Sequence, residues 1–304
     1  MDGPSSEEVA SFNEGQKPEL LWITNFKAEV IDPMTQAPMS LEYFCHTNLQ
    51  FNTVDIAKRK KAFGEWTLND FKLVSLVQGK TEVNLPKGFG IPIFSDERIS
   101  SYSMVINPNK NMKPFDVQVR AIYTYVKDSE LSVPMKPLVR RVVSLRVPVT
   151  ASEQKEMRKI KCGCDKEVET EAARPVTSTA GNIFEGNGGP TSYHWFVPPG
   201  KHRYIYGWGK GLKIPYDTTV HYIGLHLHPY GTYIQLRDVT TGKVIFKARA
   251  RNFKDRMGVA DMEHVESPKG IPFFASHEYE ITCEYNNTTK EPVNAMAMIY
   301  LYYL

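Results

Sequence analysis

Hydrophobic and polar residues alternate along most of the chain in short runs that Pro, Gly and Asn separate. These runs are rich in Val, Ile, Thr, Tyr, Phe and Trp, the residues that favour strands, and no long stretch with a 3.6-residue period interrupts the first half. Clear examples are LLWITNFKAEVI from Leu20, MSLEYFCHTNLQF from Met39 and TTVHYIGLHLH from Thr218. The pattern predicts an all-β fold of the sandwich or jelly-roll type rather than a β-α-β fold.

The alternation stops between residues 151 and 190. Thr150-Ala-Ser-Glu153 fits a capping box and predicts a short helix through Lys159, while EGNGGP near the end of this region is typical of a linker. We therefore predict four segments: a polar tail (1–19), an N-terminal domain (20–150), a linker (151–190) and a C-terminal domain (191–304). Both domains are expected to be antiparallel jelly rolls or β-sandwiches in tandem.

The two halves share a weak internal repeat. The segment from Pro86 to Ser95 parallels the segment from Pro268 to Ser276. His46 and His228 lie equally far before these segments, which predicts that the strand FCHTNLQF corresponds to the strand LHLHPYG. On this alignment, Phe44 and Val119 stand where the second half has His226 and Met296. The second half is therefore the expected metal-bearing half.

Bulk properties exclude several classes of protein. The hydrophobic content is 41%, which is that of a globular chain, and the net charge of +3 is too small to indicate nucleic acid as a partner. No apolar run reaches the length of a membrane span. The N-terminal sequence is polar and acidic and resembles neither a signal nor a transit peptide. The chain is therefore either cytoplasmic or has lost a leader that a start methionine replaces.

Two histidines carry the most specific chemistry. His226 and His228 lie one residue apart on a strand predicted from about Thr219 to Pro229, so their side chains project from the same face. Neighbouring imidazoles suit zinc, copper, iron or nickel, and the spacing alone does not choose among them. The alternative is a partly exposed strand with two hydrogen-bonded histidines.

The remaining candidates are weaker. Cys45 and Cys283 lie in apolar runs and are expected to be buried thiols, whereas Cys162 and Cys164 form a C-x-C pair that either binds a metal or lies in a loop. Four other histidines are assigned non-ligand roles. His194 is expected in a turn or interdomain contact, His221 on the opposite face unless a bulge intervenes, and His264 and His277 at the surface.

Three features of the C-terminal half resemble the copper type II, ascorbate-dependent monooxygenases, the family of the peptidylglycine alpha-hydroxylating and dopamine beta-monooxygenases. They are His226-x-His228-x-x-Gly231, Cys283-x-Tyr285-Asn286, and Met296 four residues before Tyr300. The resemblance is best over residues 192–304. It implies two tandem jelly-roll domains and one copper ion held by His226, His228 and Met296, where dioxygen binds and a C–H bond is hydroxylated. It also implies a periplasmic or extracellular compartment.

The sequence departs from that family in the first half. The family holds a second, electron-relaying copper there through a histidine pair and a third histidine. Here the pair reads Cys45-His46, and the later region, which contains Met104, has no histidine. Either Cys45, His46 and Met104 form a soft metal site, or a buried cysteine lies beside a hydrogen-bonded histidine. The family's disulfide partner for Cys283 is also missing, because Ala297 follows Met296.

Two functions follow from these features. The first is a copper-binding, monooxygenase-like protein with one mononuclear His2Met site, from which the electron-relay ligands have been lost. The second is a non-catalytic accessory subunit of a larger assembly, for which an extracytoplasmic, membrane-associated electron-transfer complex is one possible setting. In that case a protein partner is expected to order the tail and the linker.

Overall fold

The computed structural model describes residues 3–12, 17–51, 55–64, 72–109, 116–150, 152–153, 155, 176–178, 183–184, 191–210 and 216–304. Within these residues the chain is almost entirely β, with a single α-helix, α1 (Ile56–Phe63), and 3-10 turns at Leu41–Tyr43 and Asp128–Glu130. The strands of the first half are β1 (Ser5–Ala10), β2 (Leu20–Ile31), β3 (Phe44–Phe51), β4 (Lys72–Val77), β5 (Glu82–Asn84), β6 (Phe89–Phe94), β7 (Ile99–Val105), β8 (Gln118–Lys127), β9 (Lys136–Pro137), β10 (Val139–Ser144) and β11 (Val147–Pro148).

Thirteen further strands follow in the described part of the second half. They are β12 (Val176–Ser178), β13 (Ile183–Phe184), β14 (Thr191–Ser192), β15 (Trp195–Val197), β16 (Gly200–Lys210), β17 (Thr218–Leu227), β18 (Gly231–Asp238), β19 (Val244–Asn252), β20 (Val259–Met262), β21 (Val265–Phe273), β22 (Glu278–Asn287), β23 (Val293–Ala295) and β24 (Ala297–Tyr303). β18 and β19 form an antiparallel hairpin, in whose turn Gly242 has a positive φ of 73°.

Each half contains two main sheets, and the prediction of an all-β sandwich fold is confirmed. In the first half the strand orders are β1-β7-β3-β4 and β5-β2-β6-β9, with β8 along the other edge of β2. In the second half they are β10-β24-β17-β21 and β13-β12-β16-β22-β18-β19-β20. The pairs β11-β14 and β15-β23 form two small ladders. All pairings except β6-β9 are antiparallel.

The same connectivity occurs in both halves, as the internal repeat predicted. β2 lies between β6 and β8 as β17 lies between β21 and β24, and β3 lies between β7 and β4 as β18 lies between β22 and β19. The predicted match between the FCHTNLQF and LHLHPYG strands is therefore wrong, because β3 corresponds to β18 and β17 to β2. The cause is the loop between these strands, which covers residues 32–43 in the first half and only 228–230 in the second.

The two halves share a sheet and a core. β10 lies before residue 150, yet it pairs with β24 and forms one edge of a second-half sheet. The ends of the predicted linker are also joined, since Val147 pairs with Ser192. Buried apolar side chains from both halves form one continuous cluster, in which Leu76 and Leu301 are fully buried. The predicted division at residues 150 and 191 is thus crossed by strand pairing.

The predicted tail and linker contain structure that this chain itself supplies. β1 pairs with β7 along all six of its residues, although each of those residues is exposed. In the linker, Thr150 and Glu153 exchange the two bonds of a capping box, and β12 adds to the edge of β16. Most of the predicted helix through Lys159, together with Cys162 and Cys164, lies outside the described residues.

Among the described residues, no helix is long and apolar enough to cross a membrane.

Candidate metal centre

Strand β17 presents the two histidines at its C-terminal end. His226 lies opposite Met298 in β24, whereas the alternate residue Leu225 lies opposite Ile299 and is buried in the apolar core. β17 ends at Leu227, so His228 is the first residue beyond the strand and Pro229 follows it. The rings of His226 and His228 are 5.2 Å apart and nearly perpendicular, with an interplanar angle of 79°. The structure thus brings the predicted histidine pair together.

Met296 lies beside His228 because one tyrosine fixes both backbones. The N–H of His228 donates to the carbonyl oxygen of Met296 at 3.3 Å. The hydroxyl of Tyr285 donates to that same carbonyl at 2.5 Å and accepts from the N–H groups of His228 and Met296, both at 3.2 Å. Met296 and Tyr285 are both fully buried. The backbones of His228 and Met296 therefore lie side by side just before β24, and the ring of His226 lies next to that of His228.

A second methionine, Met298, lies nearby, and its sulfur has a hydrogen-bond donor of its own. Met298 is opposite His226 in the register of β17 and β24, and it is buried. Its Sδ accepts a weak hydrogen bond from the hydroxyl of Tyr300 at 3.9 Å. Because this bond directs the sulfur toward Tyr300, Met298 serves as a natural comparison for Met296.

A third imidazole reaches the centre from β15. The ring of His194 lies 5.3 Å from that of His228, and its Nδ1 donates to Oδ1 of Asn294 at 3.2 Å. His194 precedes Trp195, which pairs with Ala295, so the ladder of β15 and β23 places His194 next to Met296 in the register. The sequence assigned His194 to a turn or an interdomain contact. β15 is only three residues long, and its partner β23 lies about a hundred residues further along the chain. The local sequence around His194 therefore gives no signal for this placement.

Burial and neighbouring rings keep His228 neutral. Removal from solvent lowers its pKa well below the usual value, nearby His226 and His194 lower it further, and a hydrogen bond with Asn294 opposes the shift. The Nδ1 of His228 is buried and has no hydrogen-bond partner among the described residues. A neutral imidazole with an available lone pair is the form that binds metals.

The weaker candidates of the first half also lie together. The Sγ of Cys45 is 3.3 Å from Nδ1 of His46, and His46 lies opposite Met104 in the register of β3 and β7. Burial raises the pKa of Cys45 to about 12, so its thiol stays protonated at neutral pH. A cysteine beside a hydrogen-bonded histidine is one of the two alternatives that the sequence left open. Cys283 is a buried free thiol, as expected, whereas Cys45, also expected to be buried, is a partly buried free thiol.

The remaining histidines have other contacts. A bulge in β17 falls at His221, whose Nδ1 donates to the carbonyl of Ser267 at 2.9 Å and whose Nε2 lies 3.0 Å from the Thr219 hydroxyl. His264 is exposed, and its Nδ1 lies 3.1 Å from the amine of Lys80. His277 is paired with Asp238. Across the described ranges, no group of three or more His, Cys, Asp or Glu side chains is already arranged to hold a metal ion.

Comparisons with known proteins add distant likenesses only. No family model and no curated protein matches the sequence. The functional form of the mosquito-larvicidal Cry4Aa toxin from Bacillus thuringiensis aligns with a TM-score of 0.21 and 7% identity, over 99% of this chain and 58% of the toxin chain. The structure of the infectious bursal disease virus Gx strain aligns with a TM-score of 0.18 and 8% identity, over 98% of this chain and 69% of that chain. Scores this low carry no argument about function.

Proposed function

We propose that this protein binds one copper ion through His226, His228 and Met296 and is a monooxygenase-like copper protein. The observation that supports this most directly is the buried Nδ1 of His228, which has no hydrogen-bond partner among the described residues. A buried polar atom left without a partner costs free energy, and a bound metal would remove that cost. Two imidazoles and a thioether are donors that suit Cu(I).

The spacing of the histidine rings agrees with a shared metal. Bonds from a metal to imidazole nitrogen are about 2.0–2.1 Å long, so two imidazoles on one tetrahedral ion have ring centres roughly 5 Å apart. The rings of His226 and His228 are 5.2 Å apart.

In the family that the sequence resembles, copper held in this way activates dioxygen for the hydroxylation of a C–H bond. The residues of this chain would hold the ion and shield it from water. Tyr285 fixes the backbones of His228 and Met296, and the apolar face of β17 supports the site from behind. His226, at 7% exposure, and the fully buried Met296 line a centre with restricted access.

Copper analysis of the purified protein tests the proposal. After reconstitution under reducing conditions, we expect one Cu(I) per chain by elemental analysis and by competition with a chromophoric chelator. His228→Ala should abolish stoichiometric binding. Met296→Leu should weaken it by about tenfold or more, because a soft donor is lost.

Met298→Leu is the matched control for this experiment. It removes a thioether two residues beyond Met296 but should leave the copper affinity unchanged, since the sulfur of Met298 contacts Tyr300. Absence of copper from the wild-type protein would refute the proposal. Equal losses in Met296→Leu and Met298→Leu would refute the assignment of Met296.

A second candidate function is a non-catalytic accessory subunit. The low exposure of His226, His194 and Met296 favours it, because a carbon substrate would have little access to the centre. Oxygen consumption with ascorbate distinguishes the two functions. For the accessory function, we expect copper-loaded protein to consume oxygen no faster than His228→Ala does. Consumption that depends on both ascorbate and His228 would instead support an oxidase or monooxygenase.

A further inference from the structure

Strand β8 forms a sheet edge whose counterpart in the second half is covered by a further strand. Among the described residues, β8 pairs with β2 alone. Its counterpart β24 lies between β17 and β10, and β10 comes from the first half of the chain. Every residue of β24 is buried, whereas none of the ten residues of β8 is. The repeat thus indicates a strand position beside β8 that the described residues leave unfilled.

One bulge occurs at the same place in both halves and aligns the strands residue by residue. The pairing of β2 with β8 skips Thr24, and the pairing of β17 with β24 skips His221. Matching the two bulges makes Ile122 the counterpart of Tyr300. Tyr300 lies opposite Val142 of β10. A strand beside β8 would therefore bring an apolar side chain to Ile122.

β8 lacks the features that protect most other sheet edges. Strands β9 and β13 have two residues each, β20 has four, and β4 and β10 are largely buried. β21 contains Pro268 and Pro272, and β1 carries the exposed neighbours Glu7 and Glu8. Short edge strands, proline and exposed charge all discourage pairing with another chain. β8 is ten residues long and contains no proline, and both of its cations are ion-paired within the chain.

The side chains of β8 are complementary to a second copy of the same strand. Paired residues of an antiparallel ladder point to the same face, so two copies related by a two-fold axis must centre on one residue rather than between two. Centring on Ile122, which is 38% exposed, sets that side chain against its own copy. The same register sets Arg120 opposite Thr124 and Tyr125 opposite Val119. No like charges face each other in it, and apolar groups meet at the axis.

We propose that two copies of this chain pair antiparallel through β8, about a two-fold axis at Ile122. Residues 118–126 of each copy then face each other, and the five-stranded sheets of the two copies become one continuous sheet. The outward backbone groups of β8 gain hydrogen-bond partners. A single strand pair is a small interface, so the dimer dissociates on dilution. The pairing includes no residue of the proposed copper site and is expected with or without metal.

Sedimentation velocity of the chelator-treated protein over a wide range of concentrations tests this dimer. We expect a reversible equilibrium between monomer and dimer for the wild-type protein. Ile122→Lys sets two ammonium groups against each other at the axis and should raise the dissociation constant by about tenfold or more. Ile122→Glu should do the same with two carboxylates. An equimolar mixture of the two variants should recover the dimer, because opposite charges then meet at the axis.

Val239→Lys is the matched control, because Val239 has a similar exposure of 40% and follows β18 in the second half. It should leave the dissociation constant unchanged, and urea unfolding of each variant shows whether the fold is retained. A wild-type protein that stays monomeric at every concentration would overturn the proposal, as would equal effects of Ile122→Lys and Val239→Lys. A mixture of the Lys and Glu variants that dimerises no better than either alone would overturn the register centred on Ile122.

Amide hydrogen exchange locates the interface independently of the substitutions. In the wild-type protein, exchange at the amides of β8 should slow as the concentration rises, because dimerisation gives the outward N–H groups acceptors. Exchange at the edge strand β21 should not change and serves as the internal reference. A dimer that forms without slower exchange in β8 would show that the copies meet elsewhere.

Discussion

At the scale of single residues, Tyr285 joins the parts of the candidate site. Its hydroxyl makes three hydrogen bonds to the backbones of His228 and Met296 in a fully buried position. We expect Tyr285→Phe to lower the free energy of unfolding by about 1–3 kcal/mol, because the N–H of Met296 loses the hydroxyl that accepts from it and the Met296 carbonyl loses a donor. The variant should also bind Cu(I) more weakly than the wild-type protein. Urea denaturation and chelator competition measure the two effects.

Tyr279→Phe is the matched control for that prediction. Tyr279 is also buried in β22, and its hydroxyl accepts from the N–H of Phe274 at 2.8 Å and lies 3.3 Å from its carbonyl. Its removal should cost similar stability without any change in copper affinity. If both variants lose affinity equally, the effect of Tyr285 is one of general stability rather than of positioning.

His221 predicts a dependence of stability on pH. Burial lowers its pKa below the usual value of about 6.5. Between the folded and unfolded pKa values, the unfolded chain binds more protons, so stability decreases as the pH falls below about 6.5 and is unaffected above about 7.5. One histidine contributes up to about 1.4 kcal/mol per pH unit in that window. Urea unfolding from pH 7.5 to 5.0 should show a shallower decrease for His221→Gln than for the wild-type protein, and identical slopes would contradict the prediction.

At the scale of elements, strand alternation was predictable and strand partners were not. The period-two pattern from Thr218 placed His226 and His228 on one face, because parity depends only on local geometry. It could not give the bulge at His221, nor the short strand β15 that brings in His194, since both depend on residues far along the chain. Equal spacing before two similar motifs misaligned β3 with β17, because the loop of residues 32–43 is longer than its counterpart. The position of His194 beside His228 therefore depends on pairing between strands that are far apart in the chain, and the sequence did not reveal it.

At the scale of the whole molecule, a turn of the first half packs against β20 and adds to the shared sheet and core that join the halves. The N–H of Met262 donates to the carbonyl of Gly79 at 2.8 Å, and Gln78 accepts from the N–H of Val259. A Cβ on Gly79 would lie 2.6 Å from Cγ1 of Val259. The close approach of this turn to β20 thus requires the absence of a side chain at Gly79, which also has a positive φ of 83°.

Gly79→Ala tests whether this contact exists in solution. Gly88 offers a close control, because its φ of 87° is similar but a Cβ there would meet nothing within 4 Å. Both substitutions carry the strain of a positive φ, so the difference between them reports the contact between the halves. We expect Gly79→Ala to lower the free energy of unfolding by roughly 1–3 kcal/mol more than Gly88→Ala, since overpacking adds to the strain. Val259→Ala in the Gly79→Ala background should recover part of this difference, whereas equal effects of the two glycine substitutions would show that the turn does not pack against β20.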